Sequence, residues 1–173
     1  IATIDASYSG AEGIREAFSK CSDILSNFRM VEEKKIIEKL FQEINTNSGL
    51  GSYGLKEVIE MLRNNIAGMV VISDDINMSR IEKKCKRCSH VEEEIIEQGK
   101  RIARKTEMKS QGCPECKAMD FEINDQDLID FVALIASQTG TKVEVVSGKT
   151  EHGIMLGSLG NIAAILRYNP NRS

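Results

Sequence analysis

Four cysteines carry the residue types and spacing best suited to chemistry. They form two pairs, Cys85-Lys86-Arg87-Cys88 and Cys113-Pro114-Glu115-Cys116, with 24 residues between them. Two CxxC pairs in this arrangement are the sequence form of a four-thiolate Zn²⁺ site. Each CxxC turn points two sulfurs to one side of a tight knuckle. Two knuckles complete a tetrahedral shell and leave no open position for a substrate. One structural zinc held by Cys85, Cys88, Cys113 and Cys116 is the leading expectation. The gap exceeds the ~15–20 residues usual between such pairs, which predicts a ribbon or a short helix between the knuckles. His90 stands two residues after Cys88. With four thiols available it reads as a bystander.

Two other readings of the cysteines remain. Free thiols that recur by chance are one. A redox dithiol is the other, and it needs a single CxxC that follows a strand and opens a helix. The flanks Lys109-Ser110-Gln111-Gly112 and Lys117-Ala118-Met119-Asp120 do not have that form. The fifth cysteine, Cys21, lies on an apolar helical spacing and reads as a small buried hydrophobe.

Other motifs carry no chemistry. Gly148-Lys149-Thr150 resembles the end of a phosphate loop, but that loop needs a glycine at position 143, which is Val143. Leu156-Gly157-Ser158-Leu159-Gly160 is glycine-spaced and reads as a tight turn into a last strand. His90 and His152 are the only histidines, and neither suggests a nucleophile with its base. Glu92-Glu93-Glu94 belongs to a surface charge run. The residues argue against an enzyme.

The chain has 173 residues, of which 41% are hydrophobic, enough for one good-sized domain or a domain with a small module. No apolar run approaches the ~18–20 residues of a membrane span, so no membrane partner is expected. It opens on Ile1 within a strand-like pattern, which reads as a piece of a longer protein. Cysteines grouped for a metal suit a reducing, cytoplasmic compartment. The net charge of −3 is unevenly spread. Residues 83–117 carry 10 basic and six acidic side chains, and the remainder has 13 basic and 20 acidic. An acidic body with a basic insert suggests a protein partner for one and nucleic acid for the other. The same split also describes a plain solvated face.

The elements that must position the cysteines follow from periodicity. Residues 1–8 read as a strand, and Ser9 with Glu12 offers a capping box to a helix over 12–28. A second amphipathic helix is expected over 31–44, with Ile36, Ile37, Leu40, Phe41 and Ile44 inward. A third runs from Lys56 to about Asn64. The apolar run 68–73 fits a buried central strand. Residues 91–96 read as a strand of the ribbon, while 101–108 are helix or loop. Then come a helix over 125–139 with Gly140 at its C′ position, a strand over 141–147, a short helix or turn over 151–159, and a strand over 162–168. The fold expected is α/β, a mixed sheet of four or five strands with helices on both faces. Residues 1–77 and 124–173 form it, and a zinc-ribbon module of residues 78–123 is inserted at a loop.

Several stretches resemble, in order, the third domain of archaeal and eukaryotic class I peptide-chain release factors. The run Val31-Glu32-Glu33-Lys34-Lys35-Ile36-Ile37-Glu38-Lys39-Leu40-Phe41-Gln42-Glu43-Ile44 is similar to the helix that opens that domain. Tyr53-Gly54-Leu55-Lys56-Glu57-Val58 is similar to the start of its next helix, although Met61-Leu62-Arg63-Asn64-Asn65-Ile66-Ala67 departs in detail from the family's continuation. Gly157-Ser158-Leu159-Gly160-Asn161-Ile162-Ala163-Ala164-Ile165-Leu166-Arg167-Tyr168 resembles its closing turn and strand. Ile4-Asp5-Ala6-Ser7-Tyr8-Ser9-Gly10 fits the junction with the preceding domain. All four cysteines fall where the family carries its inserted module, which points to the archaeal branch. The pelota group of ribosome-surveillance proteins shares the body but is the weaker match.

The resemblance implies a part in translation termination. The family reads stop codons with its first domain and releases the peptide with a Gly-Gly-Gln loop in its second. No Gly-Gly-Gln occurs here. The third domain docks the carrier GTPase and meets the ribosome-recycling ATPase. Gly157, Ser158, Gly160 and Arg167 are the candidate partner contacts. Lys83, Lys84, Arg87, Arg101 and Arg104 are candidate contacts to ribosomal RNA. The alternatives are a pelota-like, RNA-binding zinc-ribbon protein and a dithiol oxidoreductase.

Overall fold

The computed structural model describes residues 11–46 and 48–170, with side chains from residue 28 onward. The expected strand over 1–8, the Ser9 capping box and the Cys21 side chain lie outside the described residues.

The first element, α1, runs unbroken over Ala11–Asn45. The two helices expected there are one. Asn27-Phe28-Arg29-Met30 contains no glycine or proline, so nothing in the sequence interrupts the backbone ladder. After α1 come β1 (Gly51–Tyr53), α2 (Leu55–Arg63) and β2 (Ala67–Ser73). A second group follows, with β3 (Met78–Cys85), β4 (Val91–Glu97), a 3₁₀ turn (Gln98–Lys100), α3 (Arg101–Ser110) and β5 (Phe121–Asp127). The chain then returns through α4 (Leu128–Thr139), β6 (Lys142–Val146), α5 (Glu151–Gly157) and β7 (Ile162–Leu166).

The main sheet has strand order β1-β7-β2-β6. β2 and β6 are parallel, whereas β7 is antiparallel to both β1 and β2. The result is the mixed sheet expected. Alternation along the strands divides the core. Val70, Ile72, Ile162 and Ala164 pack with Val58, Leu62, Leu128 and Val132 of α2 and α4. Val71, Ala163 and Ile165 face the other way, onto Ile37 and Leu40 of α1 and Leu156 of α5. Coverage on both faces explains why β2 reads as a continuous apolar run and not as an alternation.

The second sheet is antiparallel, in the order β4-β3-β5. Its strand β5 corrects the expected helix over 125–139. Asp125, Gln126 and Asp127 pair with β3, and the helix begins at Leu128. Asp127 ends the strand and caps the helix, because its carboxylate accepts the Ile129 N–H at 2.8 Å. Gly140 ends α4 at φ 64°, a left-handed position. The stretch that periodicity could not assign to helix or loop is the helix α3. Among the described residues, no helix is long and apolar enough to cross a membrane.

Candidate metal centre and the charged module

Both cysteine pairs sit in the same backbone device. After Cys85 the chain turns so that Ser89 N–H donates to Cys85 O at 2.9 Å. After Cys113, Lys117 N–H donates to Cys113 O at 2.9 Å. In each case the residue following the second cysteine is left-handed, Ser89 at φ 61° and Lys117 at φ 59°. A further bond closes each turn, from Cys85 N–H to His90 O at 2.8 Å and from Cys113 N–H to Ala118 O at 2.9 Å. Lys86 N–H donates to Asp120 O at 3.1 Å, which ties the first knuckle to the chain leaving the second.

The knuckles bring the four sulfurs to within 4.8 Å of one another. Cys85 Sγ lies 3.6 Å from Cys116 Sγ, and Cys88 Sγ lies 3.5 Å from Cys113 Sγ. A tetrahedral zinc with bonds near 2.3 Å separates its sulfurs by about 3.8 Å, so the donor set fits such an ion. Both of these contacts run from one CxxC pair to the other, as a shared four-thiolate site requires. Electrostatics agree with a cation. The Cys85 thiol is drawn down to about 6, chiefly by the Cys88 backbone N–H, with the Arg87 N–H and the Cys116 and Cys88 thiols assisting against burial. The Cys88 thiol is pushed up to about 12. The His90 N–H favours its thiolate, but desolvation and the sulfurs of Cys116, Cys113 and Cys85 outweigh that donor. Crowded thiols cannot all ionise together unless a positive ion sits among them. The His90 ring is not part of the cluster.

The predicted basic residues do not form one face. Lys83 is buried, 2% exposed. Its ammonium pairs with Glu92 at 3.2 Å, donates to Gln111 O at 2.9 Å and lies 4.1 Å from the Phe121 ring centroid. Arg101 pairs with Asp125 at 3.1 Å. Arg104 pairs with Glu94 at 2.5 Å and Glu107 at 2.7 Å, which together raise its pKa. Lys105 also meets Asp125, and this hydrogen bond holds that carboxyl below its usual range. The module's own carboxylates therefore absorb much of its positive charge. Lys84 and Arg87 are exposed and have no ion pair among the described residues. Periodicity could not separate these two groups, because Glu92, Glu94 and Asp125 lie on other elements, β4 and β5.

The closing turn is held by one side-chain and several backbone hydrogen bonds. Ser158 Oγ donates to Met155 O at 2.6 Å, and Gly160 N–H donates to Gly157 O at 3.0 Å. Gly160 sits at φ 88°. Beside the turn, Ile154 is 66% exposed, and Met155 is exposed with it. Sequence reasoning missed both. The signal was there, since a seven-residue helix carrying Ile154-Met155-Leu156 can bury only one side. Arg167 donates to Asn65 Oδ1 at 2.5 Å and to the carbonyls of Thr139 and Gly140 at 2.9 and 3.1 Å. Its guanidinium thus joins the ends of α2 and α4 to β7.

Known proteins resemble this chain in sequence and in fold. The family model for eRF1 domain 3 matches residues 30–170. Peptide chain release factor subunit 1 of Methanobrevibacter smithii is 36% identical over 170 residues, covering 98% of this chain and 40% of that protein. The C-terminal domain of a peptide chain release factor from Methanosarcina mazei is similar in structure, with a TM-score of 0.79 at 24% identity, covering 95% of this chain and 99% of that one. A chain from a model of ribosome-bound archaeal Pelota and ABCE1 is similar with a TM-score of 0.53 at 22% identity, covering 95% of this chain and 34% of that one. These two structural likenesses show the fold. The chain spans about 40% of the length of the curated relatives it matches.

Proposed function

The chain belongs to the eRF1 domain 3 family, and from that membership we propose that it serves translation termination as the C-terminal, partner-binding domain of an archaeal class I peptide-chain release factor. The observation that carries this reading is the family match over residues 30–170. In it, stop-codon reading and peptide release belong to other domains, this domain performs no catalytic step, and the factor works in the cytoplasm on the ribosome. The α/β body, taken as residues 11–77 and 128–170 because β5 pairs with β3 along its whole length, docks the carrier GTPase and later the recycling ATPase. The Pelota relative, whose model includes ABCE1 and the ribosome, supports the second partner. The closing turn with Gly157, Ser158 and Gly160 is the proposed contact, and exposed Ile154 and Met155 extend it. Arg167 acts there by holding the strand end in place.

The inserted module, taken as residues 78–127 and not the 78–123 expected because β5 belongs whole to its sheet, holds one zinc through Cys85, Cys88, Cys113 and Cys116. When bound, zinc crosslinks a unit too small to be held by its own core. The protein supplies the rest through the paired knuckles. Contact with ribosomal RNA is assigned to Lys84 and Arg87. Lys83 leaves that set because it is enclosed, and Arg101 and Arg104 leave it because they face acidic partners.

Capture of the translational GTPase by this chain tests the reading. Retention of the GTPase by wild type, and its loss when Ile154 and Met155 are both replaced by Asp, is the expected result. Equal retention by a correctly folded double variant removes the assigned contact, and no retention by wild type removes the docking role.

A further inference from the structure

The module joins the body at two chain crossings, between β2 and β3 and between β5 and α4. Two crossings alone leave a small unit free to rock. The side chains above them form a closed set. Arg63 on α2 of the body pairs with Glu93 on β4 of the module. Glu93 also accepts from Arg80 Nε of β3 at 2.8 Å. Arg80 in turn lies 4.6 Å from the centroid of Phe131 on α4, and Arg63 lies 5.5 Å from the same ring. Phe131 belongs to the core of the body. Two interactions thus cross the junction, Arg63 to Glu93 and Arg80 to Phe131. They are interlocked, because both cations use one ring and both share one carboxylate.

The arrangement has an asymmetry. Two guanidiniums at one aromatic ring repel each other, and the Glu93 carboxylate is what offsets that repulsion. Arg80 has a second carboxylate, Glu82, but among the described residues Arg63 has only Glu93. Apolar contact at the junction is modest, with Met78 and Ile95 only partly buried against the body's core. Arg63 and Glu93 also line an open groove of about 640 Å³, so solvent ions reach the pair.

We propose that Arg63, Glu93, Arg80 and Phe131 form a charge lock that fixes the three-stranded module in one orientation against the α/β body, with Glu93 as its key. With the lock closed, the module is a rigid arm and holds its knuckle tips at a set position relative to the closing turn. Removing the Glu93 carboxylate breaks the crossing pair and leaves two cations at one ring, so the module swings. Removing Arg63 breaks the same pair without creating repulsion, so the release is smaller.

Backbone N–H residual dipolar couplings of the weakly aligned, zinc-loaded chain test this. In wild type, amides of β2, β6 and β7 and amides of β3, β4 and β5 fit one alignment tensor. In Glu93→Gln the module's tensor falls to less than half that of the body, with the knuckle amide shifts unchanged. In Arg63→Gln the fall is smaller but measurable. Separate tensors in wild type, a common tensor in either variant, or a larger fall in Arg63→Gln than in Glu93→Gln overturns the proposal. Should Glu93→Gln fail to fold, Arg63→Gln decides alone, since a common tensor there removes the lock.

Discussion

Arg167, at the end of β7, donates to the carbonyl oxygen of Thr139 at the end of α4, 2.9 Å away. The same guanidinium reaches Gly140 O and Asn65 Oδ1. The last carbonyls of a helix lack intrahelical partners, and a cation there also complements the helix dipole. Arg167→Ala should therefore lower stability by about 1–2 kcal/mol in denaturant unfolding, the low end for hydrogen bonds to a charged group because the guanidinium is exposed to solvent. Arg167→Lys should recover only part of that, because one ammonium cannot span acceptors on two helix ends. If both variants unfold like wild type, the staple is energetically idle and Arg167 is free for a partner.

The paired knuckles predict a divided response to loss of metal. Cys113→Ser should abolish stoichiometric zinc and collapse the amide dispersion of β3, β4 and β5. The amides of β2, β6 and β7 should remain, because their core is built from α1, α2, α4 and α5. Zinc content by atomic absorption and a proton–nitrogen correlation spectrum read both outcomes. One zinc per wild-type chain is expected. A metal-free protein with a Cys85–Cys88 or Cys113–Cys116 disulfide would replace the metal reading with a redox one, and collapse of the whole chain would show that body and module fold as one unit.

Much of this architecture is legible in the sequence. Buried strand β2, the apolar stripe 36–44 and the CxxC pairs each follow from local pattern and nearby residues. Other features are not legible, for physical reasons. The acidic end of β5 reads as a helix start because Asp127 belongs to both elements. It pairs in the strand and caps the helix. A break within α1 is expected wrongly because two amphipathic stripes meet without a breaker between them. Lys83 reads as an exposed cation, and only the register of β3 against β4 and β5 encloses it beside Glu92 and Phe121. Arg63 and Glu93 are 30 residues apart, and no periodicity links them.

That redistribution of charge changes what a salt-dependence experiment should show. Lys84→Glu with Arg87→Glu should weaken ribosome association and flatten its dependence on salt. Each phosphate that the protein no longer neutralises lowers the logarithmic slope by roughly 0.7–0.9. Arg101→Glu with Arg104→Glu should instead destabilise the module, since it sets new carboxylates against Asp125 and Glu94. Zinc retention on heating separates the two effects. If the Lys84 and Arg87 variant binds as wild type while the Arg101 and Arg104 variant binds weakly and keeps its zinc, helix α3 is the RNA face and not the knuckle tip.

The two outer glycines of the closing turn should behave differently despite their similar look in the sequence. Gly160 sits at φ 88°, where an added Cβ is strained in any surroundings. Gly160→Ala should cost about 1–2 kcal/mol, as for other replacements of glycine in left-handed positions. Gly157 has no such φ, and a Cβ there would meet only Asn161 Oδ1 at 3.5 Å, an ordinary contact. Gly157→Ala should be close to neutral in thermal unfolding. It is exposed at the end of α5, next to Ile154 and Met155. A folded Gly157→Ala chain that loses the GTPase would therefore place the partner's surface directly on this turn, because the fold is not the cause. A folded chain that keeps the GTPase would move the contact to the apolar pair one turn back.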